Sequence, residues 1–327
     1  MKIVLVLLTV LILFFGCSKK NDNTIKPTPP PKPDTLATGW SKVVINKDYL
    51  TDIYFVNNSI GYTTGPGGVY KSSDGGETWN QISNFGQGAN MVATTNGKIF
   101  ITGKLGVIYQ SFDNGNTFIG YTTTNVDAYN DIYFAGNDTG YVTISNNMLL
   151  QTVNGGITWS YVTPVTGLDL AGVILTPFFI NGTTGWISDG KEIFRTNGSV
   201  NKWIKCGFIG NQYRGNISIA SANIDTVYIG VGGQTHALIY KSVNGGKDFY
   251  LTGTLDNNPN GYVAIHFIDS NNGYVSTNEK IYKTTNGGTT WENVVSLGEG
   301  SVVDISFTDA NHGWACGFNG TVLIFKK

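Results

Sequence analysis

Short apolar runs alternate with turns rich in Gly, Asn and Asp along most of the chain, and the alternation repeats. One half of the repeat reads DIYFVNNSIGY (52–62), DIYFAGNDTGY (131–141), TPFFINGTTGW (176–186), VAIHFIDSNNGY (263–274) and DISFTDANHGW (304–314). In each copy a Phe is followed seven residues later by Tyr or Trp, and Gly precedes that second aromatic. Asn-Gly pairs and β-branched residues between the aromatics oppose a helix and predict strand, turn, strand, with both rings directed at neighbouring sheets.

The other half is SSDGGETW (72–79), which returns as SFDNGNTF (111–118), TVNGGITW (152–159), SVNGGKDF (242–249) and TTNGGTTW (284–291), with a worn copy, RTNGSVNKW, at 195–203. The Asp or Asn positions 74, 113, 154, 197, 244 and 286 are separated by 39, 41, 43, 47 and 42 residues, the length of one four-stranded unit. Asp74, Asp113, Asn154, Asn244 and Asn286 each open a tight turn that needs positive φ, and their side-chain oxygens can bond the turn's own backbone. Ser or Thr two residues earlier ends a strand. Trp79, Phe118, Trp159, Phe249 and Trp291, five residues later, start the next strand and pack under the turn.

These halves predict an all-β chain with units at about 50–85, 90–122, 129–165, 172–206, 215–252 and 262–297. The second unit is the most degenerate, since MVATTNGKIFITG lacks the aromatic pair. The chain ends with three strands (DISF, GWACGF, TVLIFKK) and no fourth, while GWSKVVI (39–45) matches TWENVVSL (290–297). The first ordered segment is therefore expected to complete the last sheet, closing a seven-bladed propeller over 39–327 and removing its exposed edges. The count falls to six if the unit around Arg195 or around Ile99 is not a blade.

The Asp-Gly-Gly octet resembles the Asp-box (BNR repeat) hairpin of sialidases and other propellers, where it is structural and lies away from the ligand face. Together, the two halves resemble the photosynthesis-system-II assembly and stability factor family and its bacterial relatives. That resemblance implies a seven-bladed propeller that binds protein and catalyses nothing. In the photosynthetic members binding is linked to an arginine-rich patch; this chain has two arginines, Arg195 and Arg214, so the family's particular partner does not carry over.

Composition narrows the remaining options. Charged residues make up 13% and net charge is −1, with no basic block past residue 20, which leaves a nucleic-acid phosphate track unsupported. At the N-terminus, Lys2 precedes an apolar run from Ile3 to Phe15, then Gly16-Cys17 and a polar stretch. Thirteen residues, apolar but for Thr9, are few for a bilayer span, and the pattern predicts a signal peptide over 1–16. Gly-Cys at its end resembles a bacterial lipobox, which implies lipidation of Cys17 and an outer-membrane lipoprotein, facing the periplasm or the surface. The Pro-rich 17–38 reads as a semi-extended tether.

No enzyme signature emerges. Two arginines cannot form the sialidase carboxylate clamp, for which Lys is a poor substitute. Acids at Asp74, Asp113, Asp138, Asp269 and Asp309 are explained by turns; Asp127, Asp169 and Asp256 fall in loops between units, where two acids on one face would serve a glycosidase. His236, His266 and His312 fall in different blades, in a B–C loop, an inner strand and an A–B turn, without ligand spacing, so no metal or cofactor is expected. Cys206 and Cys316 fall nearly across the ring, too far apart for a disulfide. What remains is surface. Loops of one face carry Lys104, Tyr129, Asp169, Phe208, Tyr213, Arg214 and His236, and Phe, Tyr and Arg are types enriched at binding hot spots. The expected function is non-catalytic protein binding in an envelope assembly by a monomeric propeller. The alternatives are a surface glycan-binding protein and a glycoside hydrolase or lyase.

Overall fold

The computed structural model describes residues 32–46, 48–85, 91–93, 97–102, 106–122, 129–144, 148–162, 176–188, 192–206, 216–233, 236–255 and 261–327. They form seven antiparallel sheets, numbered here as blades in chain order, each with strands A to D from the centre outward. Blade 1 is Asp52–Phe55, Gly61–Gly65, Gly68–Ser72 and Asn80–Ser83; blade 2 is Met91–Ala93, Ile99–Thr102, Val107–Ser111 and Ile119–Thr122. Blade 3 is Tyr129–Phe134, Gly140–Ile144, Met148–Thr152 and Ser160–Tyr161; blade 4 is Thr176–Phe179, Gly185–Ser188, Ile193–Ser199 and Lys202–Lys205. Blade 5 is Ile217–Ser221, Val227–Gly232, Ala237–Ser242 and Tyr250–Leu255; blade 6 is Val263–Phe267, Gly273–Thr277, Lys280–Thr284 and Glu292–Ser296. Blade 7 takes Val302–Asp309, His312–Gly317 and Thr321–Lys326 from the C-terminus and Trp40–Val44 from the N-terminus.

The ring closes as the sequence predicts, with seven blades. Trp40 lies opposite Phe325 and Val44 opposite Thr321. The Trp40 ring meets Phe307 edge-on (6.4 Å, 79°), the same contact that Trp291 makes with Phe267 (6.2 Å, 83°). The paired chain also begins earlier than the sequence suggested. Thr35–Leu36, inside the expected tether, pairs with the outer strand of blade 6, opposite Ser296 and Val295. Leu36 packs against the core between blades 6 and 7. One N-terminal segment thus covers the outer edges of two adjacent blades, which would otherwise present unpaired N–H and C=O groups.

The aromatic motif has a direct structural cause. In the five blades that carry it, the strand A Phe lies opposite the strand B Gly, as Phe55 does with Gly61 and Phe267 with Gly273. A Cβ on Gly61 would sit 2.3 Å from the Phe55 ring, so the glycine is there to admit the ring. The Phe then stacks on the strand B aromatic of the preceding blade: Phe55 on Trp314 (3.6 Å, 3°), Phe134 on Phe100 (4.3 Å, 18°), Phe179 on Tyr141 (3.8 Å, 15°), Phe267 on Tyr228 (3.5 Å, 8°) and Phe307 on Tyr274 (4.1 Å, 16°). Each of these five seams is closed by an edge-on Trp at or just before strand D, for example Trp79 on Phe55 (5.8 Å, 88°). Such pairs add about 0.5–1.5 kcal/mol beyond their buried area.

The Asp/Asn-Gly turns lock the other end of each seam. The Ser72 hydroxyl donates to Asp74 Oδ1 (2.8 Å) and accepts from the Gly76 N–H (2.8 Å), while Asp74 Oδ1 accepts from the Thr78 N–H (2.9 Å). The same set recurs at Ser111/Asp113, Thr152/Asn154, Ser242/Asn244 and Thr284/Asn286. Gly75 and Gly76 hold φ of +75° and +92°, conformations that only glycine adopts without strain. The carbonyl after the Asp or Asn accepts from the preceding blade's aromatic: Trp314 Nε1 to Gly75 O (2.9 Å), Tyr228 hydroxyl to Gly287 O (3.2 Å).

Candidate functional site

The turns between strands A and B bond the Asp/Asn-Gly turns, as in Gly75 N–H to Ser59 O and Gly287 N–H to Asn271 O, so both gather on one face. The opposite face carries the starts of the A strands and the D–A and B–C connections. There the channel opens as a funnel of about 350 Å³ lined by Thr51, Asp52, Asp131, Asn216, Ser218, Asp304 and the backbone beside them. Asp52, Asp131 and Asp304 are one recurring position, three residues before the stacked Phe, the Asp that opens DIYF, DIYF and DISF. Strand alternation explains the placement: Ile53 and Phe55 enter the core, while Asp52 and Tyr54 point the other way.

These polar residues first serve the inner edge of the sheets. Strand A has no partner on its channel side, so its N–H groups need acceptors. Asp304 Oδ2 accepts from the Ile53 N–H (3.0 Å), Ser306 Oγ from the Phe55 N–H (3.2 Å) and Ser218 Oγ from the Ile265 N–H (3.1 Å), each crossing to the next blade. Desolvation pushes the Asp304 carboxyl above the usual carboxylate range, against hydrogen bonds from Ile53, Asp52 and Ile305. Asp52 and Asp304 are thus in hydrogen-bond contact, an arrangement that favours one proton held between two acids. Cys316, opposite Asp304, is buried, and desolvation raises its thiol well above the usual range, followed by the charges of Asp304 and Asp52.

Aromatic rings flank the funnel where the connections of blades 6, 7 and 1 meet. Phe318 touches Tyr49 (6.0 Å) and Tyr262 (5.6 Å), and Tyr49 is 48% exposed. The connections beneath are well tied: the Leu50 N–H bonds Gly317 O (2.9 Å) and Ser301 Oγ bonds Asn278 Oδ1 (2.7 Å). None of these residues was singled out from sequence. The sequence signal for the funnel is the repeated Asp that opens DIYF, DIYF and DISF.

Of the residues that sequence placed at the surface, Lys104, Asp169, Phe208, Tyr213 and Arg214 lie outside the described residues, as do Cys17, Asp127 and Asp256. His236 is exposed in the residue just before strand C of blade 5, and its carbonyl accepts from the Gly233 N–H (3.1 Å). Tyr129 is not in a loop. It begins strand A of blade 3 opposite Ile144, is 8% exposed and belongs to the core between blades 2 and 3. Tyr129 follows the loop by one residue, and strand pairing draws its ring inward. His266 sits in the inner strand beside Phe307 (5.6 Å), where desolvation pushes its imidazole down to about 4; His312 bonds Asp309 (2.9 Å) in an A–B turn. Among the described residues no three His, Cys, Asp or Glu side chains lie close enough to hold a metal ion. Cys206 and Cys316 are both free thiols in the core, and desolvation raises Cys206 to about 12.

No family model and no curated protein matches this chain. Solved structures do match its fold. YCF48 bound to a D1 peptide superposes with a TM-score of 0.70 at 14% identity, covering 90% of this chain and 99% of that one. YCF48 from Cyanidioschyzon merolae gives 0.67 at 18%, covering 88% and 98%. A GH74 xyloglucanase from Xanthomonas campestris gives 0.67 at 14%, covering 86% of this chain and 52% of that enzyme. At these identities the likeness is one of fold: this chain is a seven-bladed β-propeller, an architecture shared with YCF48 and with enzymes.

Proposed function

We propose that this chain is a lipid-anchored, non-catalytic propeller of the cell envelope that binds a protein segment across its loop face. The observation that carries the reading is the pairing of half-exposed rings (Tyr49, Phe318, Tyr262) with an acid-lined funnel on well-tied connections. Aromatic rings supply contact area with little entropy to lose, and carboxylates at the funnel supply orientation for a cationic group. The full-length match to a propeller captured with a peptide supports the same reading. Cys17 and the apolar run before it support the anchor.

Hydrolysis is the second reading, favoured by the likeness to a xyloglucanase and by the acids of the funnel. Asp52 and Asp304 argue against it as a pair. They touch, whereas the two carboxyls of glycosidases stand about 5–9.5 Å apart to admit the sugar and its nucleophile.

Crosslinking in native membranes, with the wild type and a Tyr49→Ala/Phe318→Ala double variant in parallel, tests the proposal. Both should melt together, and the double variant should lose the crosslinked protein; equal recovery of the same partner removes the loop face from the reading. Asp304→Asn separates stability from binding. Asp304 is held above its unfolded value near 3.8, so wild-type stability falls as pH rises through that interval. The variant should melt higher than wild type at neutral pH, lose that advantage below about pH 4, and capture less partner.

A further inference from the structure

Two of the seven seams lack the stacked Phe. In blade 2 the Phe and Gly positions are Ala93 and Ile99, and in blade 5 they are Ser221 and Val227, again opposite one another. At the seam of blades 1 and 2, Ile60, Ile82 and Ile99 pack around Tyr62 and fill the space. At the seam of blades 4 and 5, Val227 and Phe249 pack in the core with Trp186, and a slot of about 270 Å³ lies beside Trp186 on the face of the Asp/Asn-Gly turns, bounded by Ile224 and Gly245. Arg195, Lys247 and Asp225 line it.

We propose that this slot is a binding site for a carboxylate-bearing small ligand, held by Arg195 and assisted by Lys247. Arg195 stands opposite Trp186, the station that Lys71 occupies opposite Tyr62 and Lys241 opposite Tyr228. Those two lysines lie over the rings and donate to the next blade's turn: Lys71 Nζ to Asn114 O (2.8 Å) and Lys241 Nζ to Gly287 O (2.9 Å). At the seam of blades 4 and 5, Trp186 Nε1 donates to the corresponding carbonyl, Gly245 O (3.2 Å). Among the described residues the Arg195 guanidinium makes no hydrogen bond or ion pair, and it is half-buried against the slot.

The charge of the slot selects the ligand class. Arg195 and Lys247 against Asp225 leave one net positive charge, which a monoanion balances and a phosphate dianion exceeds. The planar guanidinium matches a carboxylate with two parallel hydrogen bonds. The site lies on the face opposite the funnel, so it stands or falls independently of the loop-face reading.

Calorimetric titration of the full chain in detergent tests it, with D-glucuronate, N-acetylglutamate α-amide and inorganic phosphate as probes. At least one carboxylate should bind saturably and more tightly than phosphate, and the preferred one distinguishes a sugar acid from a protein-like carboxylate. Arg195→Gln should weaken binding about tenfold or more, Lys247→Gln less, and Lys202→Gln, an exposed lysine outside the slot, not at all. Absence of saturable carboxylate binding, tighter phosphate binding, or an equal effect of Lys202→Gln overturns the proposal. If Arg195→Gln does not fold, Ile224→Trp at the slot's exposed rim decides: binding should be lost, and its retention overturns the site.

Discussion

The seam between blades 5 and 6 and the seam between blades 4 and 5 are built from the same parts and end differently. At the first, Phe267 stacks on Tyr228 at 3.5 Å, Trp291 closes from the edge, and Tyr228 and Lys241 both donate to Gly287 O. The Tyr228 hydroxyl and the Lys241 ammonium thus both find a partner in the next blade. At the second, Trp186 still donates to Gly245 O, but Ser221 replaces the ring and Arg195 is left facing a slot. One cross-strand exchange, Phe–Gly for Ser–Val, removes the stacked ring, and Val227 packs with Trp186 instead. The swap is coordinated because the two residues are opposite each other: a ring needs the glycine, and without the ring a β-branched residue fills the strand.

The largest effect should come from emptying the filled seam. Phe267→Ala should cost about 3–5 kcal/mol in urea denaturation, since the ring is 8% exposed and stacked between two blades. A loss below about 1 kcal/mol would mean the stack does not hold the blades. Filling the open seam is the converse. Ser221→Phe alone should destabilise by about 1–3 kcal/mol against Val227, which is fully buried. Adding Val227→Gly should reverse that loss and gain about 1 kcal/mol over wild type. Additive behaviour of the two changes would refute the cross-strand account.

The smallest effect concerns the turns at the ends of the seams. Asp113 is held at about 2 by the Thr117 hydroxyl and N–H and the Ser111 hydroxyl, against desolvation. Its unfolded value is near 3.8, so its contribution is present above that pH and is lost as pH falls through about 2. Asn286 makes the corresponding bonds without a charge. Amide exchange should therefore show the Gly115 and Thr117 N–H groups losing protection in acid before those of Gly288 and Thr290. Asp113→Asn should remove the difference.

Much of this architecture was legible because the repeat is written twice per blade. The spacing of Asp74, Asp113 and Asn154 set the unit length, and the match of Trp40 with Trp291 located the closing strand. What was misread follows from local context. Tyr129 lies next to a loop in sequence but inside a sheet in space. Thr35–Leu36 looks like linker because a two-residue strand has no periodicity, and only the exposed edge of blade 6 makes it pair.

Residue types and their spacing determined by themselves that this chain forms a closed ring of four-stranded sheets, six or seven in number, since turn chemistry and the size of opposed side chains act within a few residues. Only the tertiary structure decided that three Asp residues about 80 and 170 residues apart meet at one channel mouth, and that Arg195 faces an unfilled gap. Those outcomes depend on which blade stands beside which, and on what the neighbour fails to supply, neither of which is encoded near the residue itself.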